Sequence, residues 1–466
     1  MTHASARRGR AALTAASAVA LTLLTPGAAG AAGGAPVAPT DLYNAGQACS
    51  ADPAAPVVLK GATGLGGPGV MGIPSHTDPS VTNLNEEFRY WPVSAPEQTG
   101  TVTRRGAYAG EEATGTLPVL ADGLTYAWQA RTVDPGNGAA SDWTAACYVT
   151  ADNTAPAAAP SASSPNYPED QWTPGGTPVQ FDFSANGDTD VVGFQYTWQG
   201  GFVGGASETG PHGVPIFHSV YEDPEHAVRA DTPGGSATVH LVPPAGSSGP
   251  IQFQVRSLDA AGNASPIRSY WVVVNSTSPT VSQLSHSPLF GKPTDFRLTP
   301  DQGVQAASPV VSYTVTDTTT HSSTVVPAGA DGTAETTLVL NNPAGNSFEV
   351  TSKSANGWVS SKAQWSRRID TTPTVTSTDF PEFDLGGAVG TPGTFHLAPK
   401  IPGTQIAGYT YDFGWGTEAV TVKAGPHGEA DFTFTPTASG WYDLQVYATT
   451  KDGLRLSTGV YTFIVN

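Results

Sequence analysis

A short phrase recurs along this chain. An aromatic or β-branched run ends at Asp or Asn, and a Ser/Thr-x-Pro step follows at once. Cys147-Tyr148-Val149-Thr150-Ala151-Asp152 runs into Asn153-Thr154-Ala155-Pro156. Tyr270-Trp271-Val272-Val273-Val274-Asn275 runs into Ser276-Thr277-Ser278-Pro279, and Trp365-Ser366-Arg367-Arg368-Ile369-Asp370 into Thr371-Thr372-Pro373. Proline has no backbone donor and holds the preceding residue extended, so each step ends a ladder rather than continuing it. The intervals are each roughly a hundred residues, enough to bury a core. Tyr461-Thr462-Phe463-Ile464-Val465-Asn466 repeats the run without a following step. It is expected to close the last module with no catalytic domain appended.

The spacing predicts six segments. They are an export signal over 1–31, a flexible Gly/Ala/Pro linker over 32–39, and four modules over 40–152, 153–275, 276–369 and 370–466. Arg7, Arg8 and Arg10 precede the apolar run Ala11–Leu24, and small residues follow it, as in a secretory signal. Arg7-Arg8 also suits the twin-arginine route, from which Gly9-Arg10 departs. No later run has the length of a membrane span. The expected location is extracellular or loosely at the cell surface. Cys49 and Cys147 are the two cysteines of the chain. In an exported protein they are expected to pair, closing a loop of about a hundred residues across the first module. Charged residues make up 13% of the chain and the net charge is −18, which disfavours nucleic-acid partners.

Within the modules the pattern is that of strands. Leu124, Tyr126, Trp128, Ala130 and Thr132 fall on one face by strict alternation. A signature recurs in the last three modules. Gly176-Thr177-Pro178, Gly291-Lys292-Pro293 and Gly390-Thr391-Pro392 each open a strand, and Asp259–Asn263, Ala355-Asn356-Gly357 and Lys451-Asp452-Gly453 each form a late turn. Residues 200–235 stand out as an insertion in the second module. The fold class expected is all-β, a tandem row of sandwiches.

The order Leu, turn, Tyr-x-Trp-x-x-Arg, turn, Ser-x-Trp around Leu124–Trp143 resembles the last strands of a fibronectin type III or immunoglobulin-like sandwich. The segment 258–266 and the Thr-x-Pro steps resemble the immunoglobulin-like and fibronectin type III-like repeats of secreted bacterial proteins. The resemblance implies sandwiches and carries over no catalytic residue.

A search for chemistry finds no His-Glu-x-x-His, Gly-x-Ser-x-Gly, phosphate loop or EF-hand loop. His212, His218, His226 and His240, with Glu222, Asp223 and Glu225, offer zinc-type ligands. They lie in or beside a Gly-rich insertion and match no ligand spacing, so they read as solvated. Glu86-Glu87 and Glu111-Glu112 are adjacent pairs whose members point to opposite faces, so neither pair suits glycosidic acid–base work. They too read as solvated. Asp122, Asp188, Asp190, Asp259 and Asp452 read as turn formers. Of the tryptophans, those in strand patterns read as core. Trp172, Trp358 and Trp415 stand in turn-like contexts and are the candidates for stacking on a ligand.

No cofactor and no metal are expected. The function expected is a non-catalytic modular protein for extracellular adhesion, glycan or envelope binding, or spacing. Its partner would be an extracellular or cell-wall polysaccharide or another surface protein. The alternative is a secreted hydrolase, or an accessory of a polysaccharide-degrading system, with its site in the insertion.

Overall fold

The computed structural model describes residues 34–198, 200–414 and 417–466. The expected signal over 1–31 lies outside the described residues. These residues form two compact units. One holds the described residues up to 57 together with 62–150 and 209–215, and the other holds 58–61, 151–208 and 216–466.

All four modules are β-sandwiches of one topology. In the third module the strands are Thr280–Gln283, Pro293–Thr299, Val310–Asp317, Ser323–Pro327, Ala334–Val339, Asn346–Ser354 and Ala363–Arg367. Counted in chain order, they make one sheet in the order 1-2-5 and a second in the order 4-3-6-7. The fourth module repeats this with Thr374–Thr376, Gly393–Ala398, Ile406–Asp412, Val420–Lys423, Ala430–Phe434, Gly440–Thr450 and Gly459–Val465. The second module uses Ser161–Ser163, Val179–Ser184, Val191–Trp198, Ala227–Arg229, Ser236–Leu241, Gly249–Asp259 and Arg268–Val274. It adds Trp172–Thr173 as a parallel edge beside the seventh strand. The first module keeps the same order with Pro36–Asn44, Gly69–His76, Asn83–Pro92, Gly100–Tyr108, Ala113–Thr116, Thr125–Val133 and Cys147–Ala151.

The first of these strands corrects the expected linker. Pro36 and Val37 pair with His76 and Ser75, so the first sandwich begins inside the segment 32–39. Two prolines are tolerated at the start of this strand because Gln47–Ala48, on its other side, pairs only with Tyr43 and Asn44 and leaves the Pro36–Pro39 stretch at the edge of the sheet.

Alternation builds each core. In the fourth module Phe395, Leu397, Tyr409, Phe432, Leu444, Val446, Tyr461 and Phe463 are buried in one cluster. The rings of Phe380, Phe432 and Phe463 lie 5.4, 5.1 and 5.2 Å from that of Phe395. In the first module Phe88 and Trp128 meet at 5.8 Å, and the indole N–H of Trp128 donates to Asn44 Oδ1 at 2.6 Å. The Cys49–Cys147 disulfide is formed, with the Cα atoms 5.3 Å apart.

The Ser-x-Trp of the first module has a local explanation. Trp143 lies between the guanidinium groups of Arg89 and Arg131, at 4.3 and 4.5 Å from the ring centre. Glu87 holds Arg131 in place at 2.7 Å. Anchoring the indole fixes Ser141, whose hydroxyl accepts from Thr132 N at 3.0 Å.

Candidate functional site

Two of the three Ser/Thr-x-Pro steps, those at Thr277 and Thr371, prove to be clamps. Thr277 and Thr371, each two residues before the proline, are buried. Thr277 N donates to Ser361 Oγ at 2.9 Å, and Ser361 N donates back to Thr277 Oγ1 at 3.0 Å. Ser278 Oγ adds a contact to Ser361 Oγ at 2.9 Å and donates to Lys362 O at 2.9 Å. One module later the pattern repeats. Ser457 N donates to Thr371 Oγ1 at 3.0 Å, and Thr371 Oγ1 donates to Ser457 Oγ at 2.9 Å. Each of these two steps is thus tied to the closing loop of the module it enters. Buried hydroxyls with both donor and acceptor used hold a fixed geometry.

Packing reinforces the two clamped junctions. Between the second and third modules, Asn356 Nδ2 donates to Gly176 O at 2.7 Å. A Cβ on Gly175 would lie 2.6 Å from the Trp358 ring and 2.5 Å from Thr277, so only glycine fits there. The short helix Gln302–Ala307 closes on the same place, with Val304 Cα 3.0 Å from a Cβ built on Gly176. One continuous apolar cluster therefore runs through both modules. Between the third and fourth modules, Phe290 packs into the fourth module's cluster and Ser457 Oγ donates to Pro343 O at 3.2 Å.

This packing corrects the reading of Trp358. It is 2% exposed, wedged at the junction, and has no face to offer a ligand. Trp172 is 64% exposed. Trp415 lies outside the described residues. Two tryptophans read as core are also at the surface: Trp271 is 40% and Trp441 68% exposed. The missed signal is that a strand has two faces. Trp271 alternates with the buried Tyr270 and Val272, and Trp441 with the partly buried Tyr442.

The titratable candidates separate. His212 sits in the first compact unit, its Nδ1 2.8 Å from Gly110 O. His218 Nδ1 lies 3.0 Å from Glu222 Oε2, and His226 Nδ1 lies 2.7 Å from Asp223 Oδ2. These two pairs line an open cavity of about 440 Å³ in the insertion. His240 is exposed on strand Ser236–Leu241. Glu86 is not solvated. Leu84, Glu86 and Phe88 alternate inward, and both Glu86 carboxyl oxygens are buried without a hydrogen-bond partner. Burial, with the Glu112 carboxylate adding to it, raises the Glu86 pKa to about 9. Burial also raises the pKa of Glu112. Glu86 is the protonated carboxyl of an apolar interior, and no substrate reaches it.

Asp259 ties its own turn together, as a turn former does. It is buried, and Asn263 donates to it through N at 2.7 Å and Nδ2 at 2.9 Å. Carboxylate oxygens of Asp152, Asp190 and Asp259 lie within 4.8 Å of one another. Burial raises the Asp259 pKa, the Asp152 charge adds to this, and the Asn263 hydrogen bonds oppose it.

Among the described residues no helix is long and apolar enough to cross a membrane. No family model and no curated protein matches the chain. Solved structures do. The chain is similar to a tetra-tandem repeat in the extending region of a large adhesion protein, at 15% identity. That match covers 93% of this chain and 100% of that one, with a TM-score of 0.20. It is similar to the fibronectin(III)-like modules of Clostridium thermocellum CbhA, at 13% identity over 40% of this chain and 94% of that one, with a TM-score of 0.17. It is also similar to a Salmonella alpha-2-macroglobulin, at 10% identity over 91% of this chain and 33% of that one, with a TM-score of 0.24. The assignment as tandem immunoglobulin-like and fibronectin type III-like sandwiches agrees with the strand order described above.

Proposed function

We propose that this chain is a non-catalytic extracellular array that holds binding modules at fixed mutual positions. The observation that carries this reading is the pair of clamps, Thr277 with Ser361 and Thr371 with Ser457. A linker that only joins domains has no need to bury its threonines and return their hydrogen bonds. A spacer does, because its purpose is to keep separation and orientation. The disulfide and the acidic surface suit an extracellular setting.

The exposed Arg367 and Arg368 stand just before the second clamp and give a direct test. Trypsin is expected to cut the native chain slowly there, and to cut Thr371→Val about tenfold faster as the junction opens. Equal rates would remove the clamp as the basis of the reading. Release of reducing sugars or peptides from polysaccharide or cell-wall preparations by the purified chain would replace it with the hydrolase alternative.

A further inference from the structure

The second and fourth modules carry the same feature on the outer face of the second sheet, and the third does not. In the second module Trp172 pairs in parallel with Val273, and Val273 pairs across its other side with Pro250. In the fourth, Leu385 pairs in parallel with Ile464, and Ile464 with Trp441. The correspondence extends to the backbone. Asp170 and Phe383 both take positive φ, 59° and 54°, and each donates its N–H to the seventh strand, at Trp271 O and Thr462 O. In the third module the pair Ser347 and Ser366 stands where the second has Gln252 with Trp271 and the fourth Asp443 with Thr462, and no added segment flanks the seventh strand.

Both faces set exposed apolar side chains among polar ones. The second module shows Trp172 and Trp271, diagonal neighbours about 8 Å apart, beside Gln252 and Gln254. The fourth shows Trp441, Leu385 at 55% exposure and Phe383 at 69%, beside Asp443, Gln445 and Thr462. Flat rings rimmed by polar side chains, amides on the second module and a carboxylate, an amide and a hydroxyl on the fourth, match a pyranose, which has an apolar C–H face and a rim of hydroxyls. The guanidinium bordering the second-module face is spent on Glu169 at 2.5 Å. With a net charge of −18 on the chain, an anionic polymer would be repelled and a neutral one would not.

We infer that these two equivalent faces are binding platforms for one neutral polysaccharide, engaged together along the polymer. The inference rests on the reading of the chain as a spacing array, because fixed junctions convert two weak platforms into one avid site. The third module, without a platform, sets the distance between them.

Native gel electrophoresis of the full chain through hydroxyethyl cellulose, galactomannan or neutral xylan tests this, with polygalacturonate as the anionic probe. At least one neutral polymer is expected to retard the chain. Trp172→Ala with Trp271→Ala should weaken retardation about tenfold, as should Trp441→Ala with Leu385→Ala. All four together should abolish it. Val325→Ala, an exposed position in the third module, should leave it unchanged. These side chains are on the surface, so unchanged hydrogen exchange in the module cores will show that the variants are folded. The inference is overturned if no neutral polymer retards the chain, if the fourfold variant behaves as the parent does, or if only polygalacturonate retards it. Each of those outcomes leaves the trypsin test of the clamps standing, so the two readings fail separately.

Discussion

The first and fourth modules share a strand order and secure it by different means. The first closes its ends with a disulfide and buries a carboxyl, Glu86, between its sheets. The fourth has no cross-link and fills the same space with rings, among them Phe380, Phe395, Phe432 and Phe463. A covalent closure acts mainly on the unfolded chain, whereas ring packing acts on the folded one. The difference teaches that the topology tolerates a polar defect in its core where a cross-link offsets it.

The largest effect should come from removing the cross-link. Cys49→Ala with Cys147→Ala opens a loop whose ends are 98 residues apart. The loss should be about 4–5 kcal/mol in the chain-entropy model. Hydrogen exchange under increasing denaturant should show the first module opening earlier while the fourth is unchanged. Equal opening of both would break the comparison.

Next comes Phe395→Ala, which removes the centre of the fourth module's ring cluster. It should cost about 3–5 kcal/mol, confined to that module in the same measurement. A small loss would mean that the ring cluster repacks and is not what holds this sandwich together.

Glu86 gives the first module a dependence on pH. Its carboxyl is raised from 4.5 to about 9 in the fold, so the unfolded chain is the stronger acid. The stability of this module is therefore fullest below about pH 4.5 and falls as pH rises from there through about 9. The expected loss by neutral pH is about a few kcal/mol. Glu86→Gln should flatten that slope in denaturant melts taken from pH 5 to 9, and a slope that persists would assign it to another group.

The smallest effect concerns the clamps. Thr371→Val removes one hydroxyl that both donates and accepts, at a cost of about 1–2 kcal/mol. Scanning calorimetry should show the fourth module's transition shifted by a few degrees and the first module's unmoved.

Particular residues show how far the sequence could be read. The alternation Tyr126, Trp128, Ala130, Thr132 placed a strand correctly because its period is local, while Leu124, expected on the same face, precedes the strand and is exposed. The same rule puts Glu86 on the face shared by Leu84 and Phe88, whereas the reading of Glu86 as solvated takes account of its charge alone. The opposing sheet decided the matter by bringing Gly72, where a Cβ would lie 2.3 Å from Glu86 Oε1. For the tryptophans, turn context suggested exposure and strand context suggested burial. Trp358 reverses the first because a neighbouring module covers its turn. Trp271 and Trp441 reverse the second because each lies on the outer face of its sheet.

By itself the sequence determined the strands, the turns between them, the joints marked by Ser/Thr-x-Pro and the cysteines available to pair. These follow from dihedral preference, alternation and the chemistry of proline, all of which act over a few residues. Only the tertiary structure decided that two of the joints are clamped, that Glu86 is enclosed, and that Trp172 and Leu385 stand at equivalent places on two modules. Those properties depend on partners some eighty residues or more away in the chain, or on which side of a sheet another layer covers, and no local pattern encodes either.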